Sequence, residues 1–221
     1  MTTRSPTVRA RPRSRRGEGE TLREDLLDAT ERLMIETGSA DAVAIRAIAD
    51  AVGVTPPSIY LHFPDKESLI LAVCERHFEV FDSVIEEAGG STDDPVESLR
   101  RRGGAYVRFG LENPEPYRVL FMTRTDRDQR VGAGARAFQH LVDAVQRCID
   151  AGAFRPVDPL LAAIGVWTAV HGVTSALISM PAFPWPDVEA FVDHVCDIQI
   201  RGLSEPVPEH QGSLPAKGAT R

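Results

Sequence analysis

Cysteine is scarce in this chain: Cys74, Cys148 and Cys196 are three thiols in 221 residues, far apart and with no CxxC pair. Neither a disulfide framework nor a zinc-thiolate site is indicated, and a reducing cytoplasm is the simplest setting. The usual catalytic signatures are missing too. There is no HExxH, no P-loop, no GxSxG and no glycine fingerprint behind a strand, the arrangements that hold a metal, a phosphate, a nucleophile or a dinucleotide. Gly132-Ala133-Gly134 is a lone glycine pair in a helical context. A catalytic centre at His171 would need a carboxylate or nucleophile that the sequence does not place beside it. No catalytic residue, cofactor or metal is expected, and the chain reads as a binding protein and not an enzyme.

Acid is absent from residues 1–16, which hold Arg4, Arg9, Arg11, Arg13, Arg15 and Arg16. Against an overall charge of −7, residues 1–66 sum to zero and residues 67–221 carry the whole deficit. Positive charge is thus polarised to the first few residues. This suits an arm lying on phosphates, and equally a solvated tail. Ser14-Arg15-Arg16 has the look of a twin-arginine export signal, but Gly17-Glu18-Gly19-Glu20 stands where an apolar run is required, so none is read.

Charge of either sign is absent from Pro159 to Pro186, and the apolar part, Leu160 to Ile178, is 19 residues long. That is close to a membrane-spanning length of roughly 20 residues. Thr168, His171, Thr174 and Ser175 interrupt it, Trp167 sits in its middle, and no basic cluster flanks it, all of which argue against a span. A helix buried in protein on nearly all faces is expected, and no membrane partner.

Alternation of period two never persists, and the apolar residues recur instead at helical spacing. Leu22, Leu26, Leu27, Leu33 and Met34 mark a first helix with a capping-box pair, Thr21 and Glu24, at its start, ended by Gly38. Ile45, Ile48, Ala49 and Val52 mark a second, stopped by Gly53. Thr55 as N-cap and Pro56 at the first position open a third, through about His62. After Pro64, Asp65 caps a long fourth helix whose Leu69, Val73, Val80, Phe81 and Val84 face inward, closed by Gly89-Gly90. Further helices are expected at roughly 95–112, 116–123, 129–151, 158–179 and 187–203, with Asn113-Pro114-Glu115-Pro116 as a joint. The reading is all-α: a basic disordered arm over 1–17, a helix-turn-helix domain over 18–66, a helical ligand-binding and dimerisation domain over 67–203, and a disordered tail over 204–221.

Two short helices about a tight turn at Gly53-Val54 have the dimensions of a helix-turn-helix, whose second helix enters the major groove. Pro56, Pro57 and Ser58 are small enough for close approach to base edges. Tyr60, His62 and Lys66 can reach phosphates. Such helix pairs are also common in proteins that never touch DNA. The stretch nevertheless carries a more specific pattern: Tyr60-x-His62-Phe63 followed by Lys66-x-x-Leu69, seven residues past the Gly53 of an Ala49-x-x-x-Gly53-Val54 turn. This resembles the signature of the TetR (tetracycline-repressor) family over about residues 20–70. The resemblance implies an all-helical homodimer with a variable ligand-binding C-terminal domain, and operator DNA and a small-molecule effector as partners. It implies DNA contacts from Arg46 on the second helix, from Thr55, Pro56, Pro57, Ser58 and Tyr60 on the recognition helix, and from His62 and Lys66. In one respect the chain departs from the family pattern. Ala44 stands where a threonine usually begins the second helix, so a side-chain cap worth about 1 kcal/mol is missing.

Within 158–179, 100° per residue separates two stripes. Gly165, Ala169, Gly172 and Ala176 form a face of small residues, fit for a close dimer seam. Trp167, His171, Thr174 and Ile178 form another, and Trp167-x-x-x-His171-Gly172 resembles a Trp–His–Gly signature of one TetR subgroup. Trp167 and His171, with Tyr106, Phe109, Tyr117, Phe121 and Phe138, are the candidate lining of a pocket for a small, largely apolar effector. His171 reads equally as a hydrogen-bonded core histidine. Phe191, Val195 and Ile198 on the last helix join the candidate dimer interface, since the family pairs its last two helices in a four-helix seam. A ligand carrier with no DNA site is the remaining rival, and it leaves the Tyr60–Leu69 pattern without an explanation. The resemblance implies a regulator, most readily a repressor, that leaves a palindromic operator when effector binding moves the fourth helix.

Overall fold

The computed structural model describes residues 18–122 and 127–205; the expected basic arm and the tail from residue 206 lie outside them. Among the described residues there are nine α-helices and no strand. They are α1 (Glu18–Thr37), α2 (Ile45–Val52), α3 (Pro56–Ile59), α4 (Lys66–Gly90), α5 (Pro95–Glu112), α6 (Pro114–Tyr117), α7 (Arg127–Asp150), α8 (Pro159–Ser179) and α9 (Val188–Ser204), with a π-helical turn, Arg118–Met122, after α6. Two compact units divide the chain. One holds residues up to Glu87 together with Arg108–His140, the other Ala88–Val107 and residues from Leu141 on. The division therefore falls inside α4, α5 and α7, whereas the sequence places a boundary after residue 66.

In the first unit, Leu26, Leu27 and Met34 of α1, Ile48 and Ala49 of α2, Ile59 of α3 and Leu69, Ile70 and Val73 of α4 close one apolar core. Each fully buried Leu or Ile contributes on the order of 2 kcal/mol from leaving water. Val119, from the π-helical turn, is fully buried in that same core. Helix ends follow the local chemistry. Gly38 and Gly53 take φ of +64° and +77°, left-handed values that cost a residue with a Cβ, and each ends the helix before it. The Asp65 carboxylate accepts a hydrogen bond from the Ser68 amide at 2.7 Å and caps α4.

Four local expectations need correction. Thr21 is not a cap: α1 begins a turn earlier, at Glu18. α3 ends at Ile59 and not near His62, because the amides of His62 and Phe63 both turn back onto the Ile59 carbonyl. The Pro-rich joint at 113–116 is largely helical, with Pro114 at the first position of α6, where its missing N–H goes unneeded. On α4, Val80 and Val84 are 54% and 40% exposed. The inward stripe runs instead through Leu69, Val73, Phe78, Phe81 and Asp82, all buried.

Helices α1 and α4 are also tied by charge. Arg76 donates to Asp28 at 2.7 Å and to Glu31 at 2.6 Å, and His77 Nε2 lies 3.0 Å from the other Glu31 oxygen. The neighbouring imidazole, then the guanidinium, hold the Glu31 carboxyl below its ordinary range despite partial burial.

In the second unit α8 packs on α9, each capped by an aspartate: Asp158 accepts from the Leu160 and Leu161 amides, Asp187 from that of Ala190. Gly103 of α5 sits against both, since a Cβ there would lie 3.0 Å from Cys196 Sγ and 3.5 Å from a Val170 methyl. Arg100 and Asp197 close the edge of this contact at 2.5 Å. All three cysteines are buried and outside any disulfide, and burial pushes the Cys148 thiol up to about 11.

Helix α8 corrects another expectation. It is the one described helix long and apolar enough to cross a membrane, yet only 33% of its apolar window is buried, far from buried on nearly all faces. Ala162, Ala163, Val166, Val170, Thr174 and Leu177 face inward, while Leu161, Ile164, Gly165, Thr168 and Gly172 are exposed. A uniformly apolar helix gives no periodic signal of which side faces its own chain.

Candidate nucleic-acid interface and effector site

The turn between α2 and α3 is built by Gly53, whose amide, like that of Val54, returns to the Ala49 carbonyl at 2.9 Å. It anchors through the buried Ile48, Ala49 and Ile59, with Ile45, Val52 and Val54 packed against the same core. Arg46, Thr55, Pro57 and Tyr60 are exposed, and Pro56, Ser58, His62 and Lys66 are half-buried. The eight sequence candidates thus lie on one helix-turn-helix and the start of α4. The Thr55 and Ser58 hydroxyls are 3.0 Å apart, so one holds the rotamer of the other. Lys66 is engaged within the chain: its Nζ donates to the Asp41 carbonyl at 2.9 Å and fastens the loop between α1 and α2. Ala44 makes no side-chain cap on α2, as its lack of a hydroxyl requires. Sequence reasoning passes over Leu61, which is 85% exposed at the end of the recognition turn, and Arg23, whose guanidinium lies 5.1 Å over the Phe63 ring. An exposed leucine gives no one-dimensional signal; only the early end of α3 turns it outward.

The aromatic candidates fall into two groups. In the first unit Phe109, Tyr117 and Phe121 meet Phe78 and Phe81 of α4. Phe121 stands edge-on to Phe78 at 5.7 Å, Phe81 edge-on to Phe109 at 5.2 Å, and Tyr117 lies 4.9 Å from Phe121. Such edge-to-face pairs are worth about 0.5–1.5 kcal/mol beyond area burial. Phe78 escapes sequence reasoning; its partner on α7 is Gly134, where a Cβ would lie 3.0 Å from its ring. The second glycine of the lone pair thus makes room for an aromatic side chain. Phe138 is half-buried on α7. In the second unit, Tyr106 places its hydroxyl 3.1 Å from His171 Nδ1, Ser175 Oγ lies 3.5 Å from His171 Nε2, and Trp167 stacks on the imidazole at 5.2 Å. Burial pushes the His171 pKa down, which disfavours the charged ring.

The small face of α8 is open. A Cβ built at Gly165 or Gly172 meets no atom within 4 Å, and Ala169 and Ala176 on the same stripe are half-buried. On α9, Ile198 is 52% exposed, Val195 is half-buried, and Phe191 leans on Trp185 at 5.9 Å.

Two family models match this architecture. Residues 26–73, which hold the helix-turn-helix, match "Bacterial regulatory proteins, tetR family", and residues 99–198, which include Trp167, His171 and Gly172, match "Tetracyclin repressor-like, C-terminal domain". The chain belongs to the TetR family. This TetR-family chain is 30% identical over 129 residues to the HTH-type transcriptional activator FasR of Mycolicibacterium smegmatis, covering 58% of this chain and 56% of FasR. It spans about half the length of the curated relatives it matches. Among solved structures it is similar to a TetR family transcription regulator from Marinobacter aquaeolei VT8, with TM-score 0.67 at 22% identity, over 86% of this chain and 98% of that one. It is similar also to AibR, solved in complex with isovaleryl coenzyme A and operator DNA, with TM-score 0.59 at 21% identity, over 84% and 99%. At these identities the two structures share the fold.

Proposed function

We propose that this chain is a homodimeric TetR-type transcription regulator that reads a palindromic operator and is released from it by a small, largely apolar effector. The observation that carries this reading is the helix-turn-helix itself. Its buried anchors and left-handed Gly53 leave Arg46, Thr55, Pro57 and Tyr60 on one exposed surface. Two such surfaces read a palindrome when spaced about one DNA turn, ~34–36 Å, apart. The open small-residue face of α8, with Ile198 of α9, supports dimerisation through these two helices. The arginines of residues 1–16 add phosphate or minor-groove contacts that offset the missing cap at Ala44.

The aromatic cluster on α4 is the candidate effector wall, with Tyr106, Trp167 and His171 as a second candidate lining. Phe78 and Phe81 lie on the helix that begins at Lys66, just after the recognition turn. The π-helical turn carries Phe121 in the cluster and Val119 in the core of the reading head. An effector that parts the rings therefore acts on both α4 and the core under α2 and α3. For release, it must bind the non-reading arrangement better, typically by about 1–3 kcal/mol. FasR is named an activator, so the sign of regulation is the finer part of this proposal.

The experiment is a gel shift of the purified full chain on DNA flanking its own coding sequence, at two salt concentrations. Specific binding that weakens steeply with salt is expected. A folded protein that selects no sequence even from a random duplex pool would overturn the reading.

A further inference from the structure

Beside the aromatic cluster lies a polar constellation that neither the regulator reading nor the family resemblance uses. Asp82 and Glu86 are four apart on α4, and Arg136 and His140 are four apart on α7, so each pair occupies one helical face. His140 Nδ1 is 2.9 Å from Asp82 Oδ1 and 3.7 Å from Glu86 Oε1, and one ligand atom from each of the three residues lies within 4.8 Å of the others. The second Asp82 oxygen, Oδ2, is 3.3 Å from Arg136 Nε. Asp82 is only 7% exposed, whereas Glu86 and His140 are half-buried.

From this geometry we infer a binding site for one first-row divalent cation of the zinc class, ligated by Asp82 Oδ1, Glu86 Oε1 and His140 Nδ1. Around an ion bound at ~2.0–2.2 Å, neighbouring ligand atoms stand about 3.0–3.5 Å apart in octahedral or tetrahedral arrangement. The observed 2.9 and 3.7 Å bracket that edge on the His140 side, and the carboxylate–carboxylate edge, within 4.8 Å, closes onto an ion by rotation of the Glu86 side chain. One imidazole with two carboxylates suits zinc or manganese, and not the softer ions that favour thiolate. Arg136 occupies Oδ2 alone, which orients the carboxylate from outside the coordination sphere and leaves Oδ1 for the ion. With neutral histidine the four side chains sum to −1, attractive to a dication. Three ligands leave further positions open to water, or to a polar group on a molecule lying against Phe78, which shares the Asp82 face of α4 one turn away.

The alternative is a plain ion pair between the helices, and the two are separable. Isothermal titration of the metal-free full chain with zinc chloride, and in parallel with manganese chloride, should give one ion per chain with micromolar or tighter Kd for at least one of them. Glu86→Gln and His140→Gln alter half-buried positions, and circular dichroism checks their fold. Each should weaken that binding at least tenfold. A third variant, Arg136→Gln, should change it less, because Arg136 touches no ligand atom of the ion. Absence of binding up to millimolar metal would overturn the site, and so would an affinity unchanged in both ligand variants. None of these readouts involves DNA, so the site stands or falls apart from the operator reading.

Discussion

At Arg46 the chain presents a long, exposed cationic side chain on a short helix whose one other charged residue is Asp50. If Arg46 reads a base, Arg46→Ala should weaken operator binding by about 1–3 kcal/mol and relax preference at one base position; titration by fluorescence anisotropy against the selected operator measures both. An unchanged affinity would remove Arg46 from the reading surface. His171 makes a different kind of test. Burial lowers its folded pKa beneath the ordinary 6.5, so the unfolded chain takes up more protons in the window just below that value. The stability this neutral ring contributes is complete above 6.5 and falls as pH drops through the window, levelling once the folded ring is protonated. Urea midpoints at about pH 7.5 and 5 should therefore converge in His171→Gln relative to wild type. An equal acid loss in the variant would assign the effect to groups other than His171; Glu31 is not the source, because its depressed carboxyl loses its contribution only below the ordinary 4.5.

At the scale of elements, the turn at Gly53 is the most exacting. With φ at +77°, Gly53→Ala should cost about 1–2 kcal/mol of stability by left-handed strain alone. The chemical-denaturation midpoint reports that loss. A Cβ there meets no neighbour within 4 Å, so any larger loss would mean that α3 had moved, which operator affinity would then register. Much at this scale is legible in the sequence. Gly38, Gly53 and Asp65 announce their helix ends through chemistry local to one or two residues, and the 3.6-residue apolar rhythm places α2, α4, α5, α8 and α9 closely. What escapes depends on partners distant in sequence. Val80 and Val84 keep helical spacing yet stand outside, because Phe78 and Phe81 claim the inward stripe. The π-helical turn has no signature in single residues. Asp82 and His140 are 58 residues apart, and no spacing rule joins them.

Over the whole molecule, the acidic total of −7 and the basic first sixteen residues pull in opposite senses on DNA. Removing residues 2–16 should therefore lower operator affinity and reduce the salt slope by nearly one unit for each phosphate that the arm had neutralised. Association is testable on equally clear ground. At Gly172 a new Cβ would meet no atom of its own chain within 4 Å, and leucine favours helix over glycine by roughly 0.5–1 kcal/mol. Gly172→Leu should leave the helical circular-dichroism signal intact and shift the sedimentation coefficient from dimer toward monomer. A variant that stays dimeric would place the seam elsewhere.

If α8 forms the proposed seam, the bare backbone at Gly165 and Gly172 also decides who is turned away. A seam formed where side chains are missing recognises its mate by exclusion: a chain whose own α8 carries bulk at either position cannot come close enough to close the contact. Bacteria that keep many regulators of one architecture in one compartment face the hazard of mixed pairs, each half reading a different sequence. Two glycines seven residues apart would keep this chain loyal to its own kind at no cost in specific bonds.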